Sequence, residues 1–446
     1  MKLSRAATLT QGRAVGEATF ERVSIDSRQV RPGDLFIAIR GDRFDGHDYA
    51  AQACVDGAVA CVVDHVVEQL PAQLVVADTR KALGQIAREM AAVCEAPRVA
   101  VTGNSGKTTV KEMIACMLGE GVHATRGNFN NDIGVPLTLM DLRPSHRYAV
   151  FELGANAPGE IAWTSSLVQP RVALITNVTG AHLEGFGSME GIAAAKSEIF
   201  LGMSPGDIAI INADDRFATT FEQAAHDQKL ATVRTGLDAS ADFRASDVRE
   251  TAAGSRFALQ CPAGHFEVTV PLPGRHQVSN ALMALAVIDA LGLDLALAIE
   301  RLADMQAVAG RMSVMQCRNG TLVDDAYNAN PGSVKAAIDW LSGRAAPQVL
   351  ILGDMGELGA DSARLHRDVG TYAADHGIQS LVAVGTLAGQ AAEAFGAGGI
   401  SRDSHLQAAN DALEALDNGG TVLVKGSRSA GMEAVITHIK ESGGRH

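Results

Sequence analysis

At 446 residues the chain is too long for one hydrophobic core, and roughly two to four domains are expected. A formal net charge of −13 and an aromatic share of 4% argue against a nucleic-acid partner, because most of the surface would repel a polyanion and stacking platforms would be scarce. Neither figure excludes a small anionic ligand in a locally basic cleft.

The six cysteines, Cys54, Cys61, Cys94, Cys116, Cys261 and Cys317, form no C-x-x-C pair and sit mostly in apolar runs, so free buried thiols in a reducing cytoplasm are expected. The first residues, Met1-Lys-Leu-Ser-Arg-Ala-Ala-Thr8, lack the apolar core of a signal peptide. The most apolar helical run, Ala281 to Leu291, is interrupted by Asp289 and is too short to span a bilayer. A cytoplasmic, monomeric protein without membrane insertion is expected.

The pattern divides the chain into three regions. Residues 1–96 mix short apolar runs (Leu35 to Ile39, Ala58 to Val63, Leu74 to Ala77) with one amphipathic helix, Arg80 to Cys94, and Pro97 marks the boundary after it. Residues 97–311 alternate strands with helices: Val99 to Thr102, Tyr148 to Leu153, Val172 to Asn177 and Asp207 to Asn212 predict a mostly parallel sheet with helical cover. Residues Ala231 to Pro271 alternate apolar and polar positions and predict a small antiparallel insertion; helices His276 to Leu291 and Leu295 to Asp304 follow. Residues 312–446 repeat the α/β rhythm, with strands at Leu322 to Asp324, Val349 to Leu352, Leu381 to Val384 and Val422 to Val424. Asn330 before Pro331 predicts a helix start, and Gly396 to Gly399 a loop. The expected fold class is therefore α/β in three domains: a small N-terminal domain, a central phosphate-loop domain and a C-terminal Rossmann-like domain.

The most informative segment is Val99-Ala-Val-Thr-Gly-Asn-Ser-Gly-Lys-Thr-Thr109, an apolar strand running into a glycine turn and then a helical pattern from Val110 to Leu118. It follows the short form Thr-Gly-x-x-Gly-Lys-Thr; the longer G-x-x-x-x-G-K-[ST] pattern fails because Val101 stands at its first glycine. Gly103 and Gly106 let backbone N–H groups approach phosphate oxygens, with Asn104 and Ser105 between them. Lys107 neutralises charge, Thr108 offers a hydroxyl to Mg²⁺, and Thr109 closes the phosphate-binding segment. A bound nucleoside triphosphate follows.

In an open parallel sheet, ligands collect beyond the carboxyl ends of the strands. That rule brings Glu152, Asn177 and His182 to the rim that holds Lys107 and Thr108, and the next helix carries Lys196. Oxygen donors among them suit Mg²⁺. A carboxylate ending a buried strand is costly unless paired or metal-bound, which marks Glu152. A loop histidine is commonly structural, and a helix lysine is by default solvated, so spacing alone leaves His182 and Lys196 open. Gly274-Arg-His276-Gln-Val-Ser-Asn280 sets His276 and Asn280 on one helical face, and Gly310-Arg311 stands where an arginine could reach across a closing cleft to phosphate. Val323-Asp-Asp-Ala-Tyr-Asn-Ala-Asn-Pro331 gathers acidic, aromatic and amide groups into one turn.

Together these motifs, with Asn128-Phe-Asn-Asn-Asp-Ile-Gly-Val-Pro136, Glu152-Leu-Gly-Ala-Asn156 and Thr176-Asn177, resemble the Mur ligase family, ATP-dependent amino-acid-adding enzymes of peptidoglycan synthesis. The resemblance runs along nearly the whole chain. Gly353-Asp-Met-Gly-Glu-Leu-Gly359, Lys425-Gly-Ser-Arg428 and Ser24-Ile-Asp-Ser-Arg28 look most like the member that joins D-alanyl-D-alanine to UDP-MurNAc-tripeptide. The Asp-Asn-Pro-Arg motif of the third-residue-adding sister is absent from the sequence.

The resemblance implies ATP with two Mg²⁺ ions, Thr108 and Glu152 serving one, and Glu152, His182 and a CO₂-carbamoylated Lys196 serving the other. It places Asn280, Arg311, Asp325 and Tyr327 around the nucleotide, and makes Lys107, Glu152, His182, Lys196 and Arg311 the catalytic set. Ser27 and Arg28 would meet the uridine diphosphate end, Asn130 and Asn131 the acceptor, and Asn328, Asn330, Lys425, Ser427 and Arg428 the dipeptide. A sister ligase of the same fold, such as the third-residue-adding enzyme or folylpolyglutamate synthase, is the alternative among enzymes. A non-catalytic nucleotide-binding regulator is the alternative outside them, although the Asn-Lys-x-Asp motif of a GTPase is missing.

Overall fold

Runs of Val, Ile, Leu and Ala bounded by glycine turns build three sheets, each flanked by helices. The computed structural model describes residues 1–446 except Asp42, 180–182, 238–239, 252–253 and 444–446, and leaves the side chains of 183, 184 and 443 undescribed. The chain forms two compact units. One comprises Met1–Ala100, Gly121–Ala155 and Glu160–Pro170; the other comprises Val101–Glu120, Asn156–Gly159 and Arg171–His446.

The first unit contains a five-stranded sheet in the order Arg13–Val15, Gln73–Val75, Ala60–Val63, Asp34–Ile37, Arg22–Ser24, antiparallel only at its first pair. The inner strands Asp34–Ile37 and Ala60–Val63 are buried on both faces, so this part of the chain reads as continuous apolar runs. Leu35, Ile37, Val62 and Leu74 pack on Leu83 and Ile86 of the helix Thr79–Ala91. Asp78 caps that helix, accepting from the N–H groups of Arg80 and Lys81. The helix ends at Ala91, three residues short of the predicted Cys94. In the same unit, Val122–Ala124 pairs in parallel with Tyr148–Glu152, beside the helices Gly134–Met140 and Glu160–Val168.

Strand Arg98–Thr102 runs from the first unit into the second. In the second unit the sheet order from one edge is Gly264–Val270, Ser255–Cys261, Phe243–Glu250, Ala231–Gly236, Ile208–Asn212 and Val172–Ile175. The antiparallel segment predicted from alternation is real but is no separate insertion. Ala231–Gly236 pairs in parallel with both Ile208–Asn212 and Phe243–Glu250, and antiparallel pairing begins only where Ser255–Cys261 joins Phe243–Glu250, extending the same sheet. Helix Arg275–Ala290 is buried along most of its length, which explains a sequence apolar nearly all round.

The third sheet runs Ser313–Cys317, Gly320–Asp325, Thr421–Lys425, Gln348–Gly353, Ser380–Val384, Gly399–Arg402, parallel except for the first pair. Asp325 and Lys425 stand at the carboxyl ends of neighbouring parallel strands, where such sheets present ligand-binding groups. The predicted start at Asn330 is a full capping box: its side chain accepts from Ser333 N–H, Ser333 bonds back, and Pro331 opens the helix Pro331–Ser342. Gly399, predicted in a loop, begins the edge strand.

Candidate nucleotide site

The glycine turn has the backbone that phosphate binding requires. Gly103 takes φ +139° and Gly106 φ +82°, conformations that a side chain would strain. Space forbids side chains as well. A Cβ at Gly103 would lie 2.0 Å from Thr176 Oγ1, and one at Gly106 2.8 Å from Asn280 Oδ1. The helix starts at Lys107, three residues before the predicted Val110, so its N-terminal N–H groups face the turn. Lys107 Nζ donates to the carbonyls of Gly103 at 2.8 Å and Asn104 at 3.2 Å, arching over the loop.

The loop is pinned by the end of strand Val172–Ile175, a role the sequence did not reveal for Thr176 and Asn177. Thr176 Oγ1 donates to Ser105 O at 2.6 Å; Asn177 donates to the same carbonyl at 3.1 Å and accepts from Ser105 N–H at 3.0 Å. A threonine and an asparagine just past a strand are the only local signal.

Residues from the other end of the second unit reach this loop. Arg311 donates to Thr108 Oγ1 at 3.2 Å, and Asn330 to Ser105 Oγ at 2.9 Å. The Arg311 guanidinium lies 4.2 Å from the Tyr327 ring centroid, and that of Arg428 lies 5.6 Å from it. Asp325 and Lys425 form a buried ion pair; Lys425 also donates to Asn328 O at 3.1 Å, while Asp325 accepts from Met312 N–H at 3.1 Å. A cavity of about 190 Å³ opens between the glycine turn, Asn280, Arg311, Asp325 and Asn330.

His276 also lines it, and burial pushes its imidazole below the usual range, so it stands neutral. Gln277 accepts from Asn280 at 2.9 Å and sits 3.0 Å from His276 Nε2, fixing the amide that faces Gly106. Of the predicted nucleotide residues, Asn104, Ser105, Gly106, Thr109, Asn280, Arg311 and Asp325 line one cavity. Gly103, Lys107, Thr108 and Tyr327 support it through the contacts above. Two basic side chains, a helix N-terminus and close-packed glycine backbone fit a polyphosphate.

Spacing alone left Lys196 open between a solvated and a functional role. It is 1% exposed in the last turn of helix Met189–Ser197, which sets the solvated alternative aside, and its Nζ lies 5.4 Å from the Phe186 ring centroid. His182 lies outside the described residues.

Ser427 and Arg428, in the turn after strand Thr421–Lys425, divide by role. Ser427 Oγ donates to Asp354 O at 2.6 Å and holds its turn together, whereas Arg428 is exposed and paired with Glu433.

In the first unit, Glu152 is 3% exposed at the end of its strand. Asn130 donates to its Oε1 at 2.8 Å, and its own N–H donates to Thr125 Oγ1 at 3.0 Å. Asn131 turns its side chain to the backbone instead, accepting from Gly134 N–H at 2.8 Å and Ile133 N–H at 3.2 Å. Ser27 and Arg28 begin a short 3-10 turn capped by Asp26. Arg28 pairs with Asp26 at 2.8 Å and holds that carboxyl down at about 2. A cavity of about 800 Å³ adjoins the turn, lined by Asp26, Gln29, Arg31 and Arg143 but not by Ser27 or Arg28 themselves. Among the described residues, no helix is long and apolar enough to cross a membrane.

Comparison with known proteins agrees with this architecture. Residues 19–91 match the Mur ligase family catalytic domain, 101–288 the Mur ligase middle domain, and 310–428 the Mur ligase glutamate ligase domain. The UDP-N-acetylmuramoyl-tripeptide–D-alanyl-D-alanine ligase of Escherichia coli K12 is 43% identical over 446 residues, covering 99% of this chain and 98% of that one. The crystal structure of MurF from Acinetobacter baumannii superposes with a TM-score of 0.91 at 36% identity, covering 98% of each chain. MurF ligase from Thermotoga maritima in complex with ADP gives 0.85 at 29% identity, covering 94% of this chain and 97% of that one. The chain belongs to the Mur ligase family.

Proposed function

We propose that this protein is an ATP-dependent ligase that joins D-alanyl-D-alanine to UDP-MurNAc-tripeptide, yielding the pentapeptide precursor of peptidoglycan, ADP and phosphate. The observation that carries the reading is a glycine phosphate loop whose Thr108 and Ser105 hydroxyls are met by Arg311 and Asn330. It occurs in a chain 43% identical, from end to end, to the Escherichia coli ligase of that name. The ADP in the Thermotoga maritima MurF complex supports ATP as the energy source.

Such a ligase must activate a carboxylate, a poor electrophile with a poor leaving group. In the proposed chemistry a carboxylate oxygen of the tripeptide bonds to the γ-phosphorus of ATP as the bond to the bridging oxygen breaks, and ADP leaves. The amine of D-alanyl-D-alanine then bonds to the acyl carbon, loses a proton and expels phosphate. Lys107 and Arg311 would stabilise the transferring charge. No side-chain nucleophile is needed.

We further propose that Thr108 and Glu152 hold one Mg²⁺, and that Glu152, His182 and carbamoylated Lys196 serve a second. Mg²⁺ bound there would spread phosphate charge during transfer. The donor chemistry fits: a hydroxyl and a buried carboxylate are oxygen ligands, and a carbamate would make Lys196 a third. Residues 1–96 are proposed to bind the uridine diphosphate end, with Asp26, Gln29 and Arg31 at the cavity wall. Residues 97–311 would bind ATP, and residues 312–446 would close over it and take the dipeptide.

The test is phosphate release by the purified protein with ATP, Mg²⁺ and UDP-MurNAc-tripeptide, with and without D-alanyl-D-alanine. Release that needs the dipeptide, with the pentapeptide product found by mass spectrometry, is expected. Release driven by a single amino acid or by a folate instead would overturn the assignment.

A further inference from the structure

The first unit carries a second cluster of ligand atoms that the ligation chemistry does not use. After strand Asp34–Ile37 the chain turns into a short 3-10 segment, Gly46–Tyr49, capped by Asp45, which accepts from His47 N–H at 3.0 Å. His47 Nδ1 lies 2.5 Å from Asp45 Oδ1. The proton therefore sits on Nδ1, and the lone pair of the ring is on Nε2.

That nitrogen faces the residues that leave strand Ala60–Val63. It is 3.2 Å from Asp64 Oδ1, and His65 Nδ1 is 2.5 Å from the same oxygen. The two imidazoles stack, with centroids 4.9 Å apart and planes 24° from parallel. One ligand atom from each of His47, Asp64 and His65 lies within 4.8 Å of the others.

We propose that His47, Asp64 and His65 form a binding site for a borderline divalent transition-metal ion, with Zn²⁺ as the best match. Two imidazole nitrogens and one carboxylate oxygen, completed by water, form a donor set that Zn²⁺ takes in tetrahedral geometry, whereas Mg²⁺ prefers oxygens alone. Tetrahedral ligands about 2.0 Å from the ion are roughly 3.3 Å apart. The His47–Asp64 distance already matches, and His65, whose side chain is 57% exposed, has room to turn.

The surroundings hold the ligands in place. His47 is 5% exposed in its side chain and is oriented by Asp45, a carboxylate–imidazole arrangement that fixes the ring of a metal-ligating histidine. Arg40 engages Oδ2 of Asp45 at 2.8 Å and Oδ2 of Asp64 at 3.3 Å, and it also lies 3.4 Å from Asp64 Oδ1. The competing occupant of His47 Nε2 is the N–H of Asp64 at 3.1 Å, and losing that bond lowers the affinity of the site. An ion here fastens the turn at 45–47 to the end of strand Ala60–Val63.

Full-length protein stripped with chelator and then returned to excess Mg²⁺ is titrated with Zn²⁺ by calorimetry, and its thermal midpoint is followed in parallel. One equivalent of Zn²⁺ is expected to bind and raise the midpoint. His65→Ala, at an exposed position, removes both effects, and Asp45→Asn weakens binding about 10–100-fold. Absence of Zn²⁺ binding to the parent protein overturns the proposal, as does equal uptake and equal thermal response in His65→Ala. Loss of ligase activity without loss of Zn²⁺ uptake would bear on the proposed function alone.

Discussion

Arg311 donates through Nη2 to Thr108 Oγ1 at 3.2 Å, joining residues 203 apart in sequence. The contact puts a guanidinium on the hydroxyl proposed to ligate Mg²⁺, with its Cζ over the Tyr327 ring, 4.2 Å from the centroid. A planar cation held this way can pass to a phosphate oxygen without losing its stacking.

Arg311→Ala is therefore expected to lower the rate of phosphate release about 10²–10³-fold, the usual cost of deleting one donor to a developing oxyanion. Arg311→Lys should recover only part, because an ammonium lacks the fork and the stacking plane. Steady-state phosphate release checks both, and parent-like turnover in Arg311→Ala would remove this residue from the chemistry.

Lys196 is expected to act as an anionic ligand once carbamoylated. It is 1% exposed, so its replacement must preserve volume, and Lys196→Met is the better variant beside Lys196→Ala. Both should lose turnover by about 10³-fold or more, equivalent to several kcal/mol of transition-state charge stabilisation. ADP affinity by calorimetry should stay close to the parent value, and small carboxylates such as acetate should restore part of the activity of Lys196→Ala. Labelled CO₂ should give a carbamate carbon signal in the parent protein and none in the variants.

Much of the nucleotide site was legible because phosphate binding constrains local sequence: glycines at 103 and 106, a lysine at 107 and a hydroxyl at 108 are needed at fixed spacing. The groups that steady the loop were not. Thr176 and Asn177 act through side-chain bonds to Ser105, a contact set by strand order rather than spacing. Burial of Lys196 was hidden for a similar reason, since a nine-residue helix shows which face it offers only when its neighbours are known. Asn131 adds a local role that its place in the motif did not reveal. Its side-chain oxygen accepts from Gly134 N–H at the start of helix Gly134–Met140. The alternation read from Ala231 to Pro271 matches antiparallel pairing only among Phe243–Glu250, Ser255–Cys261 and Gly264–Val270; the parallel pairing of Ala231–Gly236 with strands on both sides is set by strand order, which alternation does not show.

The Asp325–Lys425 pair makes a stability prediction. Both residues are buried, at 7% and 3% exposure, and the lysine also closes the turn at Asn328. Lys425→Met leaves a carboxylate buried with only the Met312 N–H as a described partner, and should destabilise the fold by about 3–5 kcal/mol. The double variant Asp325→Asn with Lys425→Met should lose less than Lys425→Met alone, because the stranded charge is gone. Urea unfolding compares them; equal losses would mean that the pair contributes packing and little charge compensation.

Three histidines predict how stability varies with pH. Burial is the leading cause that lowers His123, His276 and His366 from the ordinary 6.5. His366 shows the structural reason: Nδ1–H donates to Ser362 O at 2.7 Å, and Nε2 accepts from Met355 N–H at 2.9 Å, so a second proton would break the latter bond. With each pKa lower in the folded chain, the unfolded chain binds more protons below about pH 6.5, and stability falls as pH falls. Above that pH the three contribute no slope. Between the unfolded and folded pKa values each adds about 1.4 kcal/mol per pH unit. Denaturant midpoints from pH 7.5 to 5.5 should therefore drop on acidification. His366→Gln, although less stable at pH 7.5, should show a shallower drop by about one proton. An unchanged slope in that variant would show that His366 takes up its proton equally in both states.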